Sequence, residues 1–290
     1  MSRIYDVLKR AEADTDVGEE PVEAPVLIAP GPLPPAAEDS LLTLESILAN
    51  CVPTAWLPDT TSMLFFGAEE KLEGTEQFRT LRAHLYQLKE RHSLRKIVVA
   101  SAIRGEGRSF VAANLAQALA RQPGCRALLI DADLHNPSLH GALGTASGPG
   151  LSEYLLGESN ELAIIQRGQM DNLFFISSGR AVPGQTELLC GGRLKLLLDR
   201  YEGAFDWIVL DSPASMPVSD SSLISNACDG VLMVVRANST PFDIARKAQA
   251  KFSAEKLLGV VLNGTPSAGS PRAQQYYANS LPRSVVKEVA

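Results

Sequence analysis

The chain has 290 residues, 45% of them hydrophobic and 21% charged, and a formal net charge of −6. This composition is that of a globular protein and argues against a disordered or fibrous chain. No apolar run approaches the ~20 residues of a membrane span, so any membrane role is expected to be peripheral. Residues 71–290 carry a net charge of only about +4, which is too weak to indicate nucleic-acid binding. Four scattered cysteines without a signal peptide predict reduced thiols and a cytoplasmic location.

The N-terminal part of the chain is predicted to lie outside the main domain. Residues 1–12 carry Ile4, Val7 and Leu8 at helical spacing, which predicts a short amphipathic helix that either caps the domain or binds a partner. Residues 13–71 are predicted to be an acidic, proline-rich, disordered linker followed by an irregular segment with one weak helix, "SLLTLESILAN". The stretch from residue 11 to residue 70 holds twelve acidic residues and no Lys or Arg.

Residues 72–265 have the pattern of one α/β domain. A helix with Phe78, Leu81 and Leu85 on one stripe is predicted over 74–90. Six short apolar runs then predict strands buried on both faces, at 96–101, 127–133, 172–177, 206–212, 230–237 and 257–263. Helical segments between these runs predict a doubly wound, mainly parallel sheet with helices on both faces. Residues 266–290 are predicted to form a flexible tail.

The stretch "SAIRGEGRSF" (101–110) joins a predicted strand to a predicted helix, which is the context of a phosphate-binding loop. Gly105 and Gly107 allow backbone N–H groups to face phosphate oxygens, and the helix N-terminus adds partial positive charge. Ser109 stands where a hydroxyl would ligate Mg²⁺. The usual pattern is G-x-x-x-x-G-K-[ST], but Arg108 replaces the lysine and Ala102 the first glycine. A generic glycine-rich turn is therefore the alternative for this motif alone.

Three aspartates follow the apolar strands. Asp131 and Asp133 end the run "ALLIDAD", and Asp211 ends the run "DWIVLDS". The carboxyl ends of parallel strands converge at one edge of a doubly wound sheet, so we expect all three carboxylates beside the phosphate loop. Each of them taken alone is more often a turn or helix-capping residue.

Together these motifs resemble the cytoplasmic bacterial tyrosine kinases of capsule and exopolysaccharide synthesis (BY-kinases), which are relatives of the ParA/MinD ATPases. The resemblance covers roughly residues 72–265. It rests on "SAIRGEGRS" as the Walker A motif, "LLIDADLHNPSLHG" as the Walker A′ motif and "FDWIVLDSP" as the Walker B motif. Glu76, Arg79 and Arg82 match the E-x-x-R-x-x-R pattern that mediates ring assembly in that family. A solvated charged helix face is the alternative for those three residues.

The resemblance implies a set of roles for these residues. Ser109, Asp133 and Asp211 would hold Mg²⁺, and Asp131 would accept the proton of the attacking tyrosine hydroxyl. Arg108 would act with Asp131 at the reacting phosphate. ATP or ADP would be bound by the loop and by the end of the last strand, through Gly105, Glu106, Gly107, Arg108, Ser109, Phe110 and Asn263. A simple turn-forming asparagine is the alternative for Asn263.

The chain also departs from the family pattern. Arg108 keeps a positive charge, but its planar fork demands a different geometry from lysine, so weakened catalysis is expected. Phe110 replaces a hydroxyl residue, and His135 stands where the family usually has Arg. The tail offers only Tyr276 and Tyr277 as phosphate acceptors, and these two are equally consistent with ordinary packed aromatics.

The sequence therefore predicts an ATP-binding tyrosine autokinase that regulates polysaccharide polymerisation or export. A catalytically inactive, nucleotide-gated assembly subunit and a ParA/MinD-like ATPase are the alternatives. The expected partners are a membrane-embedded co-polymerase or chain-length protein and further copies of the chain in a ring-like homo-oligomer. No nucleic-acid partner is expected. The predicted location is the inner face of the membrane, reached through the membrane partner.

Overall fold

One mixed β-sheet organises the residues that the computed structural model describes, which are 41–66, 74–216 and 220–265. The sheet has eight strands in the order β1-β4-β5-β3-β6-β2-β7-β8. Neighbouring strands are parallel throughout except for β4 and β5, which are antiparallel. The strands are β1 (Val52–Pro53), β2 (Lys96–Ser101), β3 (Ala127–Asp131), β4 (Ile165–Arg167), β5 (Leu173–Ile176), β6 (Trp207–Asp211), β7 (Gly230–Arg236) and β8 (Leu257–Asn263).

Helices cover both faces of this sheet, as the sequence predicted. Leu128 and Ile130 of β3 belong to one hydrophobic cluster, whereas Leu129 between them belongs to a second cluster on the other face. The helices are α1 (Leu44–Asn50), α2 (Thr75–Lys89), α3 (Arg108–Ala120), α4 (Leu139–Leu143), α5 (Leu151–Leu156), α6 (Gln185–Cys190), α7 (Arg193–Tyr201), α8 (Asp220–Asn226) and α9 (Phe242–Gln249). The chain therefore has the doubly wound α/β fold, with its six predicted strands present and two short strands, β1 and β4, added at one side of the sheet.

Helix α3 is the central helix of the domain. Its sequence, "RSFVAANLAQALA", is rich in alanine, the strongest helix former, and small side chains let the helix approach the sheet closely. Eleven of its 13 residues are buried, because the sheet covers one side and α2 with residues 62–66 covers the other. The phosphate loop that precedes α3 is thus fixed to a rigid element.

Residues 41–66 pack on the domain, although the sequence grouped them with the linker at 13–71. Trp56 is fully buried and its ring lies edge-on to Phe175 of β5, at 6.3 Å between centroids. The Asn114 side chain of α3 accepts the Leu64 N–H at 2.8 Å. Burial of these large apolar groups outweighs the weak local pattern of the segment. The predicted helix at 1–12, residues 13–40 of the predicted linker and the predicted tail at 266–290 lie outside the described residues.

Candidate nucleotide-binding site

The loop between β2 and α3 has the backbone form of a phosphate cradle. Gly105 and Gly107 adopt left-handed backbone angles, with φ of 84° and 87°. The backbone angle at Gly107 favours glycine, and a Cβ atom there would lie 2.0 Å from the Asn263 amide nitrogen, so any larger residue would also displace the Asn263 side chain. The N-terminus of α3 follows immediately, which directs unpaired backbone N–H groups toward the cradle.

The Glu106 side chain braces this loop from inside the domain. It is 1% exposed, and one carboxylate oxygen accepts the Ile103 N–H at 2.7 Å while the other accepts the Thr240 hydroxyl at 2.5 Å. Asn263, at the end of β8, donates to the Glu106 carbonyl at 2.8 Å. Sequence reasoning placed Glu106 and Asn263 near the nucleotide, and here both side chains hold the shape of the loop. Thr240 was missed because it lies 134 residues from Glu106 in the chain.

Arg108, the first residue of α3, points into the carboxylate cluster. Its Nε donates to Asp211 at 2.8 Å and its Nη2 donates to Asp133 at 2.6 Å. Its Nη1 donates to the Ser101 hydroxyl at 3.3 Å. The residue is 8% exposed. Burial disfavours the guanidinium charge, but the two carboxylates outweigh burial and raise the pKa of Arg108.

Asp131 and Asp211 stand opposite each other at the ends of two neighbouring strands. They are register partners in the β3–β6 pairing, and both are fully buried. One oxygen of Asp131 accepts the Ser138 and Leu139 N–H groups, each at 3.1 Å. Burial raises the pKa of Asp131 to about 8, and the nearby Asp211 carboxylate adds to this rise. Asp131 therefore combines a fixed position with a pKa close to neutral.

The second oxygen of Asp211 has no hydrogen-bond donor within the described structure, although it is buried. Burial raises the pKa of Asp211, while the Arg108 charge and the Ser109 hydroxyl lower it. Ser109 is the second residue of α3 and is half-buried beside this carboxylate. The structure thus brings the predicted metal ligands Ser109, Asp133 and Asp211 together around Arg108.

These side chains do not fit a divalent metal ion as they lie. Arg108 engages one oxygen of Asp133 and one of Asp211, which are two of the three expected ligand groups. Among the described residues, no group of three or more His, Cys, Asp or Glu side chains is arranged to hold a metal ion. Mg²⁺ and the guanidinium would compete for the same oxygens.

Two departures from the family pattern lie away from the cradle. The half-buried Phe110 ring packs edge-on against Phe78 of α2, at 5.8 Å between centroids, so its side chain belongs to the core. His135 is exposed, and its Nε2 lies 2.7 Å from the buried Asp220 carboxylate, which also accepts the Thr186 hydroxyl at 2.8 Å. This contact with Asp220 could not be predicted from local sequence, because 85 residues separate the partners.

The predicted assembly residues on α2 make contacts within the chain. Arg79 pairs with Glu76 one turn earlier on the helix, and Glu76 is largely exposed. Arg82 donates to the Ala118 carbonyl near the end of α3 at 2.7 Å. Arg82 therefore also ties α2 to α3. The predicted phosphate acceptors Tyr276 and Tyr277 lie outside the described residues.

A glycine-rich loop between a central strand and a helix, with aspartates at the neighbouring strand ends, defines a P-loop NTPase. Residues 93–265 match the family model described as ParA, NUBPL iron-transfer P-loop NTPase. The septum site-determining protein MinD of Pyrococcus horikoshii, solved with Mg-ADP, superposes with a TM-score of 0.51 at 22% identity. The superposition covers 62% of this chain and 73% of the MinD chain, and it supports the fold alone.

Closer relatives define the family within this class. The tyrosine-protein kinase YwqD of Bacillus subtilis is 33% identical over 198 residues, which are 68% of this chain and 83% of YwqD. The chimerical protein CapA2B2 superposes with a TM-score of 0.67 at 29% identity, covering 77% of this chain and 98% of that chain. The succinoglycan biosynthesis transport protein ExoP of Rhizobium meliloti is 35% identical, over 66% of this chain and 25% of ExoP. The chain belongs to the bacterial tyrosine-protein kinases of the ParA-type P-loop NTPases.

None of the described helices is long and apolar enough to span a membrane.

Proposed function

We propose that this chain is an ATP-dependent protein-tyrosine kinase that acts in exopolysaccharide or capsule biosynthesis. The observation that carries the proposal is Asp131, a buried carboxylate at the end of β3 beside the phosphate loop, which accepts the backbone N–H groups of Ser138 and Leu139. A general base works best when its pKa lies near the working pH, and burial brings the pKa of Asp131 to about 8. The relatives named for tyrosine kinase activity and succinoglycan transport support the same function.

The proposed reaction needs few protein groups. The backbone N–H groups of the loop and the N-terminus of α3 hold the phosphates of ATP. The tyrosine oxygen attacks the γ-phosphorus, the bond from that phosphorus to ADP breaks, and the phenolic proton moves to Asp131. Phosphoryl transfer depends mainly on positioning and charge neutralisation, which the rigid loop provides. Tyr276 and Tyr277 are the proposed acceptors.

Mg²⁺ is the ion expected at Ser109, Asp133 and Asp211. The contacts of Arg108 with both aspartates stand against that site, and no step of the proposed reaction depends on the metal.

A second function, a nucleotide-gated assembly subunit with little or no phosphotransfer, is favoured by one observation. Asp133, Asp211 and Ser101 hold the Arg108 side chain in place. A lysine that follows the transferred phosphate would instead need a free side chain. Small misplacements of a reacting group can slow catalysis by ~100-fold. If this second function holds, we expect the chain to bind nucleotide but to transfer little or no phosphate.

Incubation with ATP labelled at the γ-phosphate separates the two functions. The kinase function predicts label on tyrosine, lost in Asp131→Asn and in the double variant Tyr276→Phe/Tyr277→Phe. Exposed Asp171→Asn is the matched control for Asp131→Asn and should keep full labelling. Nucleotide binding without labelled tyrosine would support the assembly function, and absence of both would refute the nucleotide site.

The proposed partners are a membrane-embedded polysaccharide co-polymerase and further copies of this chain. ExoP, a succinoglycan biosynthesis transport protein whose matching part is about a quarter of its length, supports a link between this domain and polysaccharide transport. On α2, the exposed Glu76 and its neighbour Arg79 offer charges for contacts between copies in a ring. A cytoplasmic location at the membrane, through the co-polymerase, follows from the same proposal.

A further inference from the structure

Arg108 holds the position that a divalent cation would need. We infer that its guanidinium replaces that cation, so that this chain binds adenine nucleotides without Mg²⁺. The inference rests on the proposed nucleotide-binding function and adds to it the cation requirement of the site.

The first argument is the set of contacts. The guanidinium bridges Asp133 and Asp211 through two separate nitrogens, at 2.6 and 2.8 Å. Charge-assisted hydrogen bonds of this length are among the strongest that side chains make. The pairs are almost fully enclosed, because the three side chains are at most 9% exposed. Water therefore screens them little, and the arginine is held firmly on the two carboxylates.

The second argument is charge repulsion. A metal ion on the same two carboxylates would place two positive charges within a few ångströms of a buried guanidinium, where repulsion is weakly screened. For the metal to bind, Arg108 would first have to leave both carboxylates. Lysine differs here, because it presents one ammonium group and cannot bridge two carboxylates with separate nitrogens in a fixed fork.

The third argument is the number of donors that Arg108 still has. A guanidinium carries five N–H groups, and the contacts with Asp211, Asp133 and Ser101 use three of them. The two remaining N–H groups, one on each terminal nitrogen, can donate to a phosphate oxygen. Arg108 can therefore neutralise the carboxylates and contact the phosphates at the same time, which are the two electrostatic tasks of the ion.

The experiment is calorimetric titration of ADP into the full chain, with Mg²⁺ present and with EDTA in its place. For the native chain, we expect the two Kd values to agree within about twofold. In Arg108→Gln, the two carboxylates lose their cation, so we expect ADP to bind at least about tenfold more weakly in EDTA than in Mg²⁺. Arg167→Gln, a substitution of the same type in a largely exposed ion pair with Asp171 at the end of β4, should behave as the native chain.

A second measurement covers the event that Arg108→Gln folds poorly. Mg²⁺ alone, without nucleotide, should leave the Tm of the native chain unchanged and raise the Tm of Arg108→Gln and, by less, of Arg108→Lys. ADP binding by the native chain only when Mg²⁺ is present would overturn the inference and leave the proposed function intact. The inference would also be overturned if Arg108→Gln bound ADP with the same Kd in Mg²⁺ and in EDTA. No binding by the native chain under either condition would instead refute the proposed nucleotide site.

Discussion

Replacing Asp131 with asparagine should stabilise the fold at neutral pH, although it removes the proposed general base. Asp131 is fully buried and its pKa is raised from 3.8 to about 8, chiefly by burial. The folded chain therefore favours the neutral carboxyl. The stability that this preference provides is fully present below about pH 4 and is lost as the pH rises to the folded value of about 8. Above that pH the fold carries the full cost of a buried charge.

The size of the effect follows from the shift. The rise in the pKa of Asp131 from 3.8 to about 8 corresponds to a loss of ~5 kcal/mol of stability above pH 8. At pH 7, about three pH units above the unfolded pKa, the loss is ~4 kcal/mol. Asparagine recovers only part of this loss, because its amide NH₂ faces the Asp133 N–H that the carboxylate accepts at 3.3 Å. Relaxation of the buried site reduces the gain further. We expect Asp131→Asn to raise the free energy of unfolding by about 2 kcal/mol at pH 7.

Urea denaturation followed by tryptophan fluorescence, repeated from about pH 5 to about pH 8, measures this difference. The gap between Asp131→Asn and the native chain should widen steadily with pH. Asp171→Asn, which removes a largely exposed carboxylate, should give a gap that does not change over the same range. A parallel pH dependence for Asp131→Asn and the native chain would refute the assignment of a raised pKa to Asp131.

Three further predictions concern packing and assembly. Asn114→Ala leaves the buried Leu64 N–H without its acceptor and should lower the free energy of unfolding by about 2 kcal/mol in urea titrations, whereas an unchanged midpoint would show that the contact carries no stability. Glu153→Gln removes a carboxylate whose oxygens accept two backbone N–H groups and should cost about 1 kcal/mol at pH 7. Those hydrogen bonds hold the pKa of Glu153 below its usual value despite partial burial, so the cost should shrink as the pH falls through the carboxyl range. Arg79→Ala with Arg82→Ala should convert an oligomer to a monomer in light scattering, and an unaltered mass would count against assembly through α2.

The strand pattern and the phosphate loop could be predicted from the sequence because their signals are local. A parallel strand buried on both faces is a short unbroken apolar run, and Gly105 and Gly107 mark the loop within a few residues. Strands β2 and β8 match their predicted bounds, and the other four predicted strands differ by one or two residues at their ends. The short strands β1 and β4 were missed, since two or three residues carry no periodicity.

The direction of the Arg108 side chain could not be predicted. Its partners Asp133 and Asp211 lie 25 and 103 residues away, and only the folded sheet brings both beside the first turn of α3. The burial of Trp56 could not be predicted either, for a related reason. The surface that covers it comes from β5 and from residue 66, whereas its own neighbours in the chain look irregular.

The hydrogen bond from Asn263 to the Glu106 carbonyl makes the end of the last strand a mechanical support of the phosphate loop. Gly264 follows at once, and the chain that carries Tyr276 and Tyr277 continues from there. A change at the end of β8, such as one caused by capture of that chain by a neighbouring copy, would reach the loop through this contact. Linkage is reciprocal, so if capture of the C-terminal chain changes the affinity for nucleotide, nucleotide must change the affinity of that capture by the same free energy. Phosphate binding and capture of the C-terminal chain would then be coupled through the hydrogen bond between Asn263 and Glu106.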